Sequence, residues 1–240
     1  MDTPIVLLIF CRPSSTEKVF EAVRQAKPSK LLVVADGPRA DKPGELEKCN
    51  ATRSVIEQID WDCEVLTNYS DVNLGLKRRV STGLDWVFSL VEEAIILEDD
   101  CLPHPTFFSY CEELLERYRD NEQVMMIGGS NLLLKWHPEV QSYYFSYFNS
   151  CWGWATWRRA WQCYDIEMKR WEDPETRAKI RELLADEKHY QACEKMFDRV
   201  YREEINSWAL RWFFARLANS GLSITPSVNL ISNIGFTKEA

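Results

Sequence analysis

"EAIILEDDCLPHP", residues 93–105, sets a short apolar run directly ahead of three carboxylates, Glu98, Asp99 and Asp100. A run such as AIIL, without polar alternation, suits a strand covered on both faces, as in a parallel sheet between helices. The three acids then stand at the strand's carboxyl end, the edge where open α/β sheets bind their ligands. An acidic triplet placed anywhere else would read as a solvated turn.

The chain upstream repeats the pattern. Residues 5–10 (IVLLIF) read as a second buried strand, and Ser14-Ser15-Thr16-Glu17 suggests a capping box that opens a helix through Ala26. Residues 31–35 (LLVVA) stop at Asp36-Gly37-Pro38-Arg39, where glycine and proline enforce a turn. A helix over 44–59, a strand over 63–67, a turn at Asn73-Leu74-Gly75 and a helix over 77–90 lead back to the opening stretch. Strand and helix in alternation imply an α/β fold with a mostly parallel sheet and helices on both faces. Three loops should share one edge: Cys11-Arg12-Pro13, Asp36 to Arg39, and Glu98 to Asp100.

Downstream, a helix over 106–119 and a strand over 124–127 precede Gly128-Gly129-Ser130-Asn131. Eight of the ten tryptophans follow residue 135, which marks an aromatic-rich second half. Helices are expected over 154–163, 174–185, 187–201 and 207–219, then two short strands broken by Pro226. Trp154, Trp157 and Trp161 recur at the spacing of a core-facing helix stripe, which favours packing for Trp157 and Trp161. Trp152 and Trp154, flanking Gly153, are better placed to stack on a ligand ring. His104, His137 and His189 are scattered and read as surface or structural.

Composition excludes several classes. A hydrophobic share of 45% and a charged share of 28% are those of an ordinary globular protein. A net charge of −8 argues against a nucleic-acid surface. The eight cysteines form no C-x-x-C pair and read as reduced, mostly buried thiols. The first apolar run is too short to span a bilayer and lacks the basic lead of a signal peptide, so the expected location is the cytoplasm, with peripheral attachment at the inner membrane surface left open.

Hard divalent cations take oxygen ligands, and one or two carboxylates hold them when phosphates and water complete the shell. A strand-end acidic run meets that need, and Arg12, Arg39, Lys77, Arg78 and Arg79 lie in or just after strand-end loops, where they suit an anionic ligand.

Six segments in order carry a resemblance: Phe10-Cys11-Arg12-Pro13; Val34-Ala35-Asp36-Gly37-Pro38-Arg39; Asn73-Leu74-Gly75-Leu76; Leu97 to Asp100 with Pro103 to Phe108; Trp152-Gly153-Trp154-Ala155-Thr156-Trp157; and Asn229 to Phe236. Together they resemble a branch of bacterial family 2-like glycosyltransferases, and more distantly the N-acetylglucosaminyltransferase I family. The resemblance implies a GT-A fold over one domain, 1–240, with a nucleotide-sugar half (1–134) and an acceptor-side half (135–240). It implies a hexosyl or N-acetylhexosaminyl transfer from a nucleotide-diphosphate sugar, usually a UDP-sugar, with Mn²⁺ or Mg²⁺ held by Asp100. Glu98 and Asp99 would sit toward the donor ribose and sugar, Asp99 close enough to take part in catalysis. Asp36 would accept from the uracil ring, and Arg12, Arg39, Asn73 and Lys77 would complete the nucleotide site.

An inverting transferase needs a carboxylate base near the acceptor hydroxyl. Relatives would place an Asp where this chain has Ala209, in Asn206-Ser207-Trp208-Ala209, so Glu203 or, preferred, Glu204 is the candidate. Trp152 and Trp154 are the acceptor candidates; whether the acceptor is a glycan, a lipid-linked sugar or a protein stays open, as does retention of configuration. Two alternatives stand: a nucleotidyltransferase, whose first loop would ordinarily be glycine-rich where this one reads CRPSST, and a sugar-nucleotide-binding module without turnover. The segment after Gly235-Phe236 resembles one that in relatives continues to a late histidine, so a donor site completed by further residues is expected.

Overall fold

Each apolar run becomes a strand because its neighbours in space cover both of its faces. The computed structural model describes residues 1–137 and 139–236; Thr237 to Ala240, on which the expected late segment bears, lie outside the described residues. In chain order the elements are β1 (Ile5–Ile9), α1 (Pro13–Ala26), β2 (Lys30–Ala35), α2 (Glu45–Ser54), β3 (Glu64–Tyr69), α3 (Leu76–Leu90), β4 (Glu93–Glu98), β5 (Cys101–Pro103), α4 (Thr106–Arg117) and β6 (Val124–Gly128). Then come β7 (Tyr143–Ser146), β8 (Trp154–Trp157), the single turn α5 (Arg158–Trp161), α6 (Pro174–Leu184), α7 (Glu187–Tyr201), α8 (Trp208–Ala218), β9 (Leu222–Pro226) and β10 (Ile231–Asn233).

Eight strands form one sheet in the order β3-β2-β1-β4-β8-β6-β9-β7, and β10 pairs with β5 in a separate two-stranded ribbon. β3, β2, β1 and β4 are mutually parallel, whereas β8 and β7 run against their neighbours. The fold class is the mixed α/β arrangement read from the sequence, with a mostly parallel sheet between helices. β7, β8 and β9 come from the second half, so the division at 134/135 runs through one continuous sheet.

Period-two alternation assigns the faces. Ile5 and Leu7 meet Phe20 and Val23 of α1 and Phe107 and Leu114 of α4. Val6 and Leu8 meet Val80, Leu84 and Val87 of α3 and Trp208 and Trp212 of α8. A third cluster, built on Trp171, Phe197 and Phe214, joins α6, α7 and α8, so α8 packs on the sheet with one face and on the helices with another.

Several local readings change. The helix expected over 154–163 is strand β8 followed by one turn, because its backbone bonds between β4 and β6 on both edges. Three residues apart on a strand means opposite faces, and Trp154 and Trp157 do enter opposite cores. No capping box forms at α1, which opens with Pro13 in its first turn, while Thr16 Oγ1 donates to the Arg12 carbonyl at 2.8 Å. The helix expected over 44–59 ends at Ser54 and tightens into a 3₁₀ turn. Side-chain caps do appear at Asp173, Asp186 and Ser207. All eight cysteines are free. No described helix is long and apolar enough to cross a membrane.

Candidate active site

Register brings three strand ends level. Leu8 pairs with Glu98 across β1 and β4, and Ile9 with Ala35 across β1 and β2, so the residues that follow leave the sheet side by side. The Asp99 N–H donates to the Leu8 carbonyl at 3.0 Å and the Asp36 N–H to the Ile9 carbonyl at 3.3 Å, which extends the ladder one residue into the loops.

At the centre lies Arg12. Its Nη1 donates to Asp100 Oδ2 at 2.7 Å and to Asp99 Oδ1 at 3.3 Å. Asp99 is buried and also accepts the Phe10 N–H at 3.2 Å. Those bonds tie the β1–α1 loop to β4 and show Asp99 holding Arg12 in place. Glu98 makes no side-chain hydrogen bond among the described residues. Burial first, then Asp100 and Asp99, push its carboxyl up to about 8. Asp99 is pushed up to about 6, chiefly by burial, with Arg12 pulling it back down and Asp100 adding to the rise.

A carboxyl raised in the folded state withdraws stability as pH climbs from its unfolded value to its folded one. For Glu98 that window runs from about pH 4 to about pH 8. Metal-free protein is therefore expected to melt at a lower temperature at pH 8 than at pH 6, and Glu98→Gln to flatten that slope. Melting curves of the two proteins at both values check it; parallel slopes would remove Glu98 as the source.

Asp36 is buried and accepts four hydrogen bonds. Gly37 N–H and Leu74 N–H reach Oδ1 at 2.9 Å each, while Gly75 N–H at 3.0 Å and Asn73 Nδ2 at 3.1 Å reach Oδ2. A carboxylate has about four lone-pair sites, so a ring N–H would have to displace one of these donors. In the structure Asp36 has a positioning role: with Asn73 it shapes the loop over 73–75. Asp36→Ala would strand several buried donors at about 1–3 kcal/mol for each one left unpaired. It is expected to lower the melting temperature and weaken UDP binding together; a change in only one would separate the loop from the ligand.

The remaining candidates scatter along the edge. Arg39 is half-exposed and bound at 3.0 Å through Nε to Glu45, a buried helix-start acid that sequence reasoning passed over because nothing marks it. Arg79 is buried, donating to the carbonyls of Ala35 and Asn68, and serves the framework; Arg78 is exposed. Lys77 Nζ donates to Glu203 at 2.6 Å, and buried Arg211 donates to the same carboxylate at 2.7 Å. Glu204 does not join them: it is exposed and pairs with Arg199 at 3.4 Å. Ala209 packs on the cluster around Trp208 and Trp212.

The reading of Trp154 is corrected. It is fully buried, with ring centroids 5.8 Å from Trp208 and Trp212, and cannot meet an acceptor. Trp152 is half-buried beside the site, 5.7 Å from the Phe236 ring. Gly153 between them has φ of 59°, and a Cβ there would lie 2.3 Å from Ile231, so only glycine turns the chain here.

The last described segment crosses the acids. Ile234 N–H donates to the Asp100 carbonyl at 2.8 Å, and a Cβ on Gly235 would fall 2.2 Å from Asp100 Oδ2. Gly235→Ala is expected to displace the Asp100 carboxylate and weaken Mn²⁺-dependent UDP binding, with little change in melting temperature because residue 235 lies outside the sheet. Unaltered UDP titrations would show that the segment yields instead.

Among the described residues no three His, Cys, Asp or Glu side chains converge into a set that could cage a metal alone. The donor set fits a hard divalent cation in one form: the Asp100 carboxylate as a protein ligand, with phosphate and water completing the shell.

No family model matches the chain, and no curated protein matches it. Solved structures similar to it include the galactosyltransferase LgtC in complex with donor and acceptor sugar analogs, at 11% identity over 90% of this chain and 70% of that one, TM-score 0.45. A mannosyltransferase from Pyrobaculum calidifontis in complex with GDP-Man and Mn²⁺ matches at 14% identity over 91% and 75%, TM-score 0.45. An apo UDP-glucose pyrophosphorylase matches at 10% identity over 96% and 93%, TM-score 0.46. All three scores lie below 0.5, so the functional reading rests on the residues of the site.

Proposed function

We propose that the chain is a GT-A type glycosyltransferase that moves a sugar from a nucleotide-diphosphate sugar, a UDP-sugar in the first instance, to an acceptor hydroxyl with the help of Mn²⁺ or Mg²⁺. The observation that carries this reading is the Arg12–Asp99–Asp100 cluster at the level carboxyl ends of β1 and β4, next to the loop that Asp36 organises at the end of β2. A divalent cation bound there would supply charge stabilisation for the departing diphosphate. Asp100 would hold it, Asp99 would keep Arg12 beside the phosphates, and Lys77, at the start of α3, lies within the same row of loops. Arg12 donates to Asp100 at 2.7 Å, and its side chain is 39% exposed, with room for the guanidinium to turn from the carboxylate toward a phosphate.

A thermal-shift screen of UDP-, GDP-, dTDP- and CMP-sugars with and without Mn²⁺ tests nucleotide and metal together, since a ligand of the native state raises apparent stability by mass action. A metal-dependent rise for UDP-sugars is expected, and no rise with any nucleotide would sink the reading. Incubation with the sugar nucleotide then separates classes: UDP release marks a transferase, whereas UTP formed only with added pyrophosphate marks a nucleotidyltransferase. Ala209 favours a second reading, a sugar-nucleotide-binding module, which would show the shift and release nothing.

A further inference from the structure

The loop after β6 keeps three successive leucines in water: Leu132, Leu133 and Leu134 are 72%, 63% and 68% exposed. Contiguous exposed apolar residues mark a surface that something covers. These leucines cannot fold back, because the loop is fastened at both ends. The Asn131 side chain accepts the Leu133 N–H at 2.9 Å and donates to the Pro226 carbonyl at 2.8 Å. Trp136 N–H donates to Ser227 at 2.8 Å and Asn229 N–H to Leu134 at 3.0 Å. Leu134 and His137 hold φ of 66° and 42°, strain that persists only where the surroundings impose it.

Beneath the loop is a groove of about 550 Å³. Its lining combines apolar side chains, Leu132, Leu133, Trp136, Phe148 and Phe213, with hydroxyls. Ser146 and Ser150 each accept one backbone N–H through their hydroxyls while donating to nothing among the described residues. None of the twelve lining residues carries a charge. The lining itself offers a phosphate, nucleotide or acidic peptide no counter-ion, whereas an uncharged molecule with a hydroxylated part and an apolar part finds partners for each. A short run of contacts links the groove to the acids: Ser130 Oγ donates to the Trp152 carbonyl at 2.9 Å, the Trp152 ring meets Phe236, and Gly235 beside it abuts Asp100.

We propose that this groove seats the acceptor and that the acceptor is an uncharged amphiphile, a glycoside or similar polyol head against the serines with an alkyl or isoprenoid tail across Leu132, Leu133 and Trp136. The use made of the head rests on the transferase reading above; the preference for a tail does not.

The test titrates donor-free, metal-free protein with octyl β-glucoside, below its micelle-forming concentration, and with methyl β-glucoside, following tryptophan fluorescence and heat. The octyl compound is expected to bind at least about tenfold more tightly, and the double variant Leu132→Ser/Leu133→Ser to cut that advantage below about threefold. The replaced side chains are exposed, so an unchanged melting temperature is expected; Phe148→Ser, also in the apolar part of the lining, is the second variant. Equal affinities, no octyl binding, or an advantage that survives both variants would overturn the proposal. So would leucine-dependent sedimentation with phosphatidylcholine vesicles in the absence of octyl glucoside binding, which makes the loop a bilayer contact. If UDP with Mn²⁺ fails to bind the same preparation while the octyl preference holds, the donor reading falls and the groove stands.

Discussion

Asp100→Ala is expected to abolish Mn²⁺-dependent UDP binding and to reduce UDP release from a UDP-sugar on the order of 10²–10³-fold, the effect of several kcal/mol of lost charge stabilisation. Its fold should stand. The carboxylate lies outside the hydrophobic clusters and accepts from Arg12, which keeps Asp99 as a partner in the variant. Removing one of three adjacent acids also relieves the repulsion that helps to raise Glu98 and Asp99, so metal-free melting at pH 8 should be no lower than in the parent. Calorimetry with UDP and Mn²⁺, paired with a melting curve, decides it. A variant that binds UDP with the same Mn²⁺ dependence would remove Asp100 from the metal site, and one that is unfolded at ambient temperature would make it a framework residue.

The edge that holds these groups was legible because two simple regularities coincide there. Unalternated apolar runs identify β1, β2 and β4, and the rule that ligands gather at the carboxyl ends of parallel strands groups Arg12, Asp36, Asp99 and Asp100 from sequence alone. The division of labour among them was not legible. That Asp36 is filled by four donors depends on the path of residues 73–75, and that Asp99 holds Phe10 and Arg12 depends on the register of β1 and β4. A motif shows which residue types meet; hydrogen-bond capacity shows which of them is free.

The second half was harder for a different reason. β5, β7 and β8 span three or four residues each, too few for a period of two to outweigh a chance match to the helical period. The groove near Leu132 draws on residues from 130 to 225, and its only local trace was three leucines in a row.

The same ambiguity sets up the second large effect. Trp154→Ala is expected to cost about 3–5 kcal/mol, the usual range for deleting a fully buried large aromatic side chain. At about 2–4 °C per kcal/mol for a chain of this size, the melting temperature should fall by roughly 10 °C. Trp154 is fully buried in β8, tilted or stacked against Trp161, Trp208 and Trp212 at 5.8–6.3 Å between centroids, and so joins the sheet to α5 and α8. Its ring nitrogen finds no partner among the described residues, so the indole contributes by shape and area, and Trp154→Phe should recover much of the loss. An acceptor-stacking tryptophan would behave otherwise: Trp154→Ala would leave the melting temperature nearly unchanged and raise the acceptor KM alone. Trp152→Ala serves as the contrast on the other side of Gly153. Half-buried and outside the β8 ladder, it should lose far less stability, and any change it makes in acceptor or donor KM reports on the site that its ring borders.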